Sequence, residues 1–326
     1  MIGTRSPDFR FTRRRALGSM AAALVPAACA GLAPGAIRAH EATPADASGV
    51  DGTSPEIVYL VQYIHPEKTF YWVPGFANDD VRAALYDLDI ATYQAIRAEF
   101  VAAARRTAEE LLAEESFADK VDRLPFERNV VVAVLGESDT DSLQSWFEIL
   151  RHLLDLRRPA DSIVLVNSGV SALTTTQAFN PLMPVLAQQP DWIFCALGAN
   201  DAARIGPEPT QTLVSLNETT RNLAKLRRLA GVATQADWIW LTRMPIDDAR
   251  METYEPFQMG PLPFIWRNLD LEAINEWIRN QPEPVVDIYA GFGRPVPPEF
   301  QEPDGLHPTL AGHKAVAREF VDRLAR

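Results

Sequence analysis

Two cysteines in 326 residues leave little scope for disulfide chemistry. Cys29 stands within the first forty residues and Cys195 inside an apolar run, so a chain cut between them could form no internal disulfide. Neither the cysteines nor the five histidines cluster at zinc spacing. Gly-x-Gly-x-x-Gly and the phosphate loop are both missing. The residues therefore predict no metal and no cofactor. Basic residues are also scarce, with 31 Lys and Arg against 43 Asp and Glu and a net charge of −12. That balance excludes a nucleic-acid partner, because phosphate binding needs a basic face. No apolar run is both long and unbroken enough to read as a membrane span.

The amino terminus has a composition of its own. Arg5, Arg10, Arg13, Arg14 and Arg15 precede a mildly apolar run over 16–33, and small residues lead on to Ala39. This is the order of an export signal, with charged region, apolar region and cleavage zone. Thr12-Arg13-Arg14-Arg15-Ala16-Leu17 resembles the twin-arginine signal, with Ala16 where that motif prefers Phe. Residues 1–39 are thus expected to be removed on export to the periplasm or medium. Their loss takes away six arginines and one aspartate and leaves a net charge of −17. Lipid anchoring at Cys29 is the weaker alternative, since Pro26 spoils the residues before it. Residues 40–54 are small, polar and acidic, as a linker would be.

Residues 55–126 form an N-terminal extension expected to be mainly helical and packed on the core. It has an apolar stretch over 57–64 and an aromatic loop through Phe70, Tyr71 and Trp72. Ile90, Tyr93, Ile96, Phe100, Ala103, Ala104, Leu111 and Leu112 then recur at helical spacing over 87–115. From residue 127 short apolar runs alternate with amphipathic stretches. The runs cover 130–135, 163–166, 192–197, 238–241 and 285–289, and each is too short for an ordinary helix. Helices are expected over 141–156, 173–187, 210–229, 268–279 and 309–324. Continuous apolar strands separated by helices predict a parallel five-stranded sheet covered on both faces, an α/β/α sandwich. Its ligand site should lie beyond the carboxyl ends of the strands.

The residues at those ends suit acyl transfer. Gly136-Glu137-Ser138-Asp139-Thr140 follows the first run, Asn167-Ser168-Gly169 the second and Gly198-Ala199-Asn200-Asp201 the third. Asp304-Gly305-Leu306-His307-Pro308 stands before the last helix. A serine hydroxyl needs an imidazole to take its proton, and the imidazole needs a carboxylate to fix its tautomer. Ser138, His307 and Asp304 fit those roles. The oxyanion of a tetrahedral intermediate needs preorganised donors, each worth about 2.7–4 kcal/mol. The N–H groups of Ser138 and Gly169 and the amide of Asn200 are the candidates, glycine because it admits close approach.

Taken together, these four blocks resemble the SGNH, or GDSL-type, hydrolase family over residues 129–326. Gly136-x-Ser138-x-Thr140, Gly169, Gly198-x-Asn200-Asp201 and Asp304-x-x-His307-Pro308 stand in the family's order. The resemblance implies a flavodoxin-like sheet, no metal, and hydrolysis of esters, lipids or acetyl groups on sugars. The expected partner is accordingly a small-molecule, lipid or carbohydrate ester. Two features depart from the pattern, namely Glu137 where the family usually has Asp and the extension before residue 127. An acyltransferase would use the same residues, and a decayed carbohydrate- or lipid-binding module is the non-enzymatic alternative.

Other candidates are weaker. Ser142, in Asp141-Ser142-Leu143, imitates the family name but lies too far past the strand end. His65, His152 and His313 are scattered, and the last two fall on helical stretches as surface or packing residues. Cys195 reads as a small core hydrophobe. Thr140 breaks the Gly-x-Ser-x-Gly elbow of the other large hydrolase fold. The long connection over 245–267, with Tyr254, Phe257, Met259, Phe264 and Trp266, either lines a pocket or covers the core.

Overall fold

The computed structural model describes residues 52–206, 210–254, 257 and 263–325. The extension comes first, with α1 (Pro55–Tyr63), α2 (Pro66–Thr69), α3 (Asp79–Leu85), α4 (Ile90–Leu112) and α5 (Glu115–Asp122). Ser54 caps α1 and Asp89 caps α4, each accepting a backbone N–H of the first turn. The sandwich follows with β1 (Val131–Gly136), α6 (Ser138–Asp141), α7 (Trp146–Arg157), β2 (Val164–Gly169), α8 (Phe179–Ala187) and β3 (Trp192–Ala196). Next come β4 (Arg204–Ile205), α9 (Leu216–Ala233), β5 (Asp237–Leu241), α10 (Asp248–Thr253) and β6 (Phe264–Ile265). The chain closes with α11 (Asn268–Arg279), β7 (Val285–Val286), α12 (Ile288–Gly291) and α13 (Leu310–Leu324).

The five main strands are parallel in the order β2-β1-β3-β5-β7, and β4 pairs with β6 antiparallel outside that sheet. This is the flavodoxin-like order, with its switch point beside β1. Alternate residues of each strand feed two cores. Val132, Val134, Phe194, Ile239 and Leu241 pack with Ala104, Leu111, Leu150, Val316 and Phe320 from α4, α7 and α13. Ala133, Leu135, Ile193, Cys195, Trp238 and Trp240 pack on the other side with Leu182, Leu223, Leu226 and Ile274 from α8, α9 and α11. The extension is therefore not separate from the sandwich. Its helices α4 and α5 share the first core, while Val58, Val61, Ala83, Tyr86, Tyr93, Ile96 and Phe100 form a smaller cluster under α1 and α3. No helix among the described residues is long and apolar enough to cross a membrane.

Several boundaries differ from the sequence reading for local reasons. The helix expected over 141–156 starts only at Trp146, because the chain extends at Ser142 and restarts where Ser145 accepts from the Glu148 N–H. The stretch before Phe179 is turns and irregular backbone, so α8 starts six residues later than expected. Helix α9 begins at Leu216, after a Ser215 cap with Glu218 three residues on. The last strand is two residues long because Asp287 caps α12 directly after it.

The tightest test of this packing is α7, whose Leu150 is fully buried against the sheet. Leu150→Ala is expected to cost about 2–5 kcal/mol of unfolding free energy in denaturant titration, with the strand and helix content unchanged.

Candidate active site

The site is assembled at the carboxyl ends of β1, β2 and β3. Strand β1 ends at Gly136, Glu137 makes the turn, and Ser138 opens α6. In register with Gly136 on β2 stands Gly169. A Cβ on Gly136 would collide with the Thr140 side chain, and one on Gly169 would lie 2.7 Å from the Asp141 nitrogen. The two glycines give α6 room to sit directly on the end of the sheet.

Three side chains from distant parts of the chain meet there. Ser138 Oγ lies 2.9 Å from His307 Nε2, and His307 Nδ1 lies 2.6 Å from Asp304 Oδ2. The second Asp304 oxygen accepts the N–H groups of Leu306 at 2.7 Å and His307 at 2.9 Å. Burial alone would raise the Asp304 pKa, but the His307 ring and these N–H donors hold it below the ordinary value. An ionised carboxylate only accepts, so Nδ1 carries the proton and Nε2 is left to receive that of the serine hydroxyl. Two rings of α1 close over the imidazole, Tyr63 at 5.2 Å and Tyr59 at 6.4 Å between centroids. Beside Ser138, His307 and Asp304 a cavity of about 40 Å³ is lined by Glu137, Asp139, Arg243 and His313. Arg243 pairs with Asp139 and donates to the Leu306 carbonyl at 3.3 Å.

The oxyanion assignment needs correction at Gly169. Its N–H donates to Asn167 Oδ1 at 2.9 Å, and its missing side chain serves α6, so it is not a free donor. Ala172, in the turn after β2, is the alternative candidate. It sits in the left-handed region at φ 58°, and its N–H has no partner among the described residues. Its neighbours are pinned on both sides. Ser171 is bound to Asp141, and the Leu173 carbonyl accepts the Asn200 amide at 3.2 Å. The Asn200 amide has a second hydrogen to give. The Ser138 N–H is likewise without a partner among the described residues. No sequence signal marks Ala172, because an alanine holding a conformation that favours glycine looks like any other alanine.

The lesser candidates find structural uses. Ser142 is fully buried and accepts from Gln62 of α1 at 3.1 Å. His65 is buried against Asp141. His313 is fully buried, and burial, with His307 and Arg243, pushes its pKa down to about 3, so it is neutral. Cys195 is buried in β3, and burial raises its thiol pKa.

Residues 132–315 match the family described as GDSL-like lipase/acylhydrolase. The chain belongs to that family. It is an ester hydrolase. No curated protein matches it. Among solved structures, an arginine-to-alanine variant of Axe2, an acetyl-xylooligosaccharide esterase from Geobacillus stearothermophilus, is 20% identical with a TM-score of 0.50. That match covers 62% of this chain and 96% of Axe2. LAE5, an alpha/beta hydrolase from the metagenome of Lake Arreo, is also 20% identical. It covers 61% of this chain and 96% of its own at a TM-score of 0.47. At this identity Axe2 supports the fold alone.

In this hydrolase Glu137, the residue that departs from the family pattern, braces the loop after β3. Its carboxylate accepts the N–H groups of Gly198 at 2.7 Å, Ala199 at 3.2 Å and Asn200 at 3.4 Å, so it holds the loop that presents the Asn200 amide. The longer side chain thus reaches the third block from the first. Asp201 anchors the same loop from beneath, accepting from Thr175 N at 2.8 Å and Thr219 Oγ1 at 2.9 Å.

Full burial raises the Glu137 pKa from 4.5 to about 7, with Arg243 and the backbone donors opposing the shift. A carboxyl raised in the fold contributes stability below its unfolded pKa and loses it as pH climbs through the folded value. Relative to Glu137→Gln, the wild type should therefore lose stability between about pH 4.5 and 7. At about 1.4 kcal/mol per unit the loss is on the order of 3 kcal/mol. Urea unfolding of both proteins across that range checks it, and a difference independent of pH would contradict the shift.

Proposed function

We propose that this ester hydrolase works by covalent serine catalysis on an acyl or acetyl ester of a lipid, carbohydrate or small molecule. The observation that carries the reading is the unbroken hydrogen-bond chain from Ser138 through His307 to Asp304. Ser138 Oγ attacks the ester carbonyl as its proton passes to His307 Nε2. The tetrahedral oxyanion is met by the N–H groups of Ser138 and Ala172 and by the Asn200 amide. The intermediate collapses and His307 returns the proton to the departing alcohol. Water then repeats the sequence on the acyl-enzyme, releasing the acid and restoring Ser138. Asp304 steadies the imidazolium at both stages without itself taking the proton.

A fluorophosphonate probe with peptide mapping should place the adduct on Ser138, and Ser138→Ala should abolish turnover of p-nitrophenyl esters from acetate to long chain. Asp304→Asn should cost up to about 10⁴ in kcat by losing tautomer control. An adduct on Ser142, or a fully active Asp304→Asn enzyme, would end this mechanism.

The domain plan extends the proposal to the chain's destination. Residues 1–39 act as a twin-arginine signal and 40–54 as a linker, ahead of the 55–126 extension and the 127–326 hydrolase domain. The signal lies outside the described residues, and the support is the Thr12-Arg13-Arg14 context with its weakly apolar run. Replacing Arg13 and Arg14 by Lys should leave precursor in the cytoplasm on fractionation. Unchanged export would assign the chain to another route.

A further inference from the structure

Asp141 is a buried charge that the hydrolytic mechanism does not use. It ends the helix that Ser138 begins, three residues from the nucleophile, and is 2% exposed. Its two oxygens face different parts of the chain. Oδ2 accepts the Ser171 N–H at 2.8 Å and the Ser171 hydroxyl at 3.0 Å, immediately before Ala172. Oδ1 takes both a histidine and a lysine of the extension, His65 Nδ1 at 2.7 Å and Lys68 Nζ at 2.6 Å. Burial would raise the Asp141 pKa, but Lys68 and His65 hold it below the ordinary value. Lys68 also reaches Asn167 Oδ1 at 3.4 Å, the same oxygen that accepts the Gly169 N–H. The single Ser171 hydroxyl proton is shared between Asp141 Oδ2 and the nearer Tyr63 carbonyl at 2.5 Å, at the end of the helix that packs on His307.

Placing a carboxylate there is costly unless every lone pair is met. A stability role alone would be served by an apolar residue, which makes the direction of the bonds informative. They join the nucleophile helix, the turn carrying Ala172 and the extension in one rigid unit. We infer that Asp141, compensated by His65 and Lys68, is a positioning residue that holds the Ser171–Ala172 turn so that the Ala172 N–H meets the oxyanion. The extension is then a working part of the active site. Without Lys68 the carboxylate is under-compensated and the turn loses its fixed reference to Ser138. Geometry of this kind acts on the transition state, where a misplacement of about 1 Å can cost about 100-fold in rate.

This inference rests on the serine mechanism proposed above, and one set of measurements separates the two. Lys68→Met, Lys68→Arg, Asp141→Asn and Ser138→Ala are prepared in the full hydrolase. Active sites are counted by fluorophosphonate titration, so that kcat is expressed per competent serine. Lys68→Met and Asp141→Asn should lower that kcat between about 10- and 100-fold, with KM within about threefold. Lys68→Arg should recover most of the loss, since it keeps the cation. A boronic acid that mimics the tetrahedral state should bind the two impaired variants more weakly by a similar factor, while the product carboxylate should not. A purely structural clamp would reduce the number of titrated sites and leave kcat per site unchanged, which overturns the inference. Failure of both impaired variants to fold also overturns it, by making the clamp a folding element. If Ser138→Ala is dead while the clamp variants match wild type, only this inference falls. If Ser138→Ala retains turnover, the serine mechanism falls with it.

Discussion

Carboxylates buried beyond the ends of a parallel sheet must have their lone pairs met by protein donors, and this site contains four of them. Glu137 accepts three backbone N–H groups of the loop after β3, and Asp201 binds threonines before α8 and within α9. Asp141 is shared between the Ser171 turn and the extension, and Asp304 binds the His307 ring and two N–H groups of its own loop. Each carboxylate thereby fixes a segment that carries one of the candidate site residues. An unmet charge in this position costs several kcal/mol, so the loops cannot move independently without breaking bonds that water does not readily replace. The resulting preorganisation suits a reaction in which negative charge develops on one oxygen.

The same constraint explains how the family pattern is varied here. A glutamate in the first block spans the distance to the loop holding Asn200, and Arg243 lies close enough to oppose the rise in its pKa. An alanine at φ 58° is held in the turn after β2 by the pins on either side. Strain of that sort persists only where neighbours over-determine it, and it concentrates at functional sites. The extension adds two aromatic rings over His307 and two nitrogen donors for Asp141, so its small core under α1 and α3 is continuous with the site.

Much of this was legible in the residues. Short β-branched and aromatic runs marked five strands, and their parallel arrangement followed from the helices between them. Ser138, His307 and Asp304 could be singled out because the chemistry proposed for them admits few residue types and each stands beside a strand end or helix start; the fold joins them by hydrogen bonds. What escaped was set by local caps and distant contacts. Ser145 and Ser215 each start a helix later than periodicity suggests. Gly169 drew the oxyanion role because glycine suggests close approach, yet the close approach it permits is that of α6.

Sequence alone determined the strand pattern, the net negative charge and the identity of the three residues that form the hydrogen-bond chain. Patterning and side-chain chemistry are local properties, and they survive without knowledge of who touches whom. Tertiary structure decided which N–H groups were left unpaired, that Glu137 braces the third block, and that Asp141 is tied to residues more than seventy positions away. Those outcomes depend on hydrogen bonds across the fold. Each donor can be spent once, and only the assembled chain shows where it is spent.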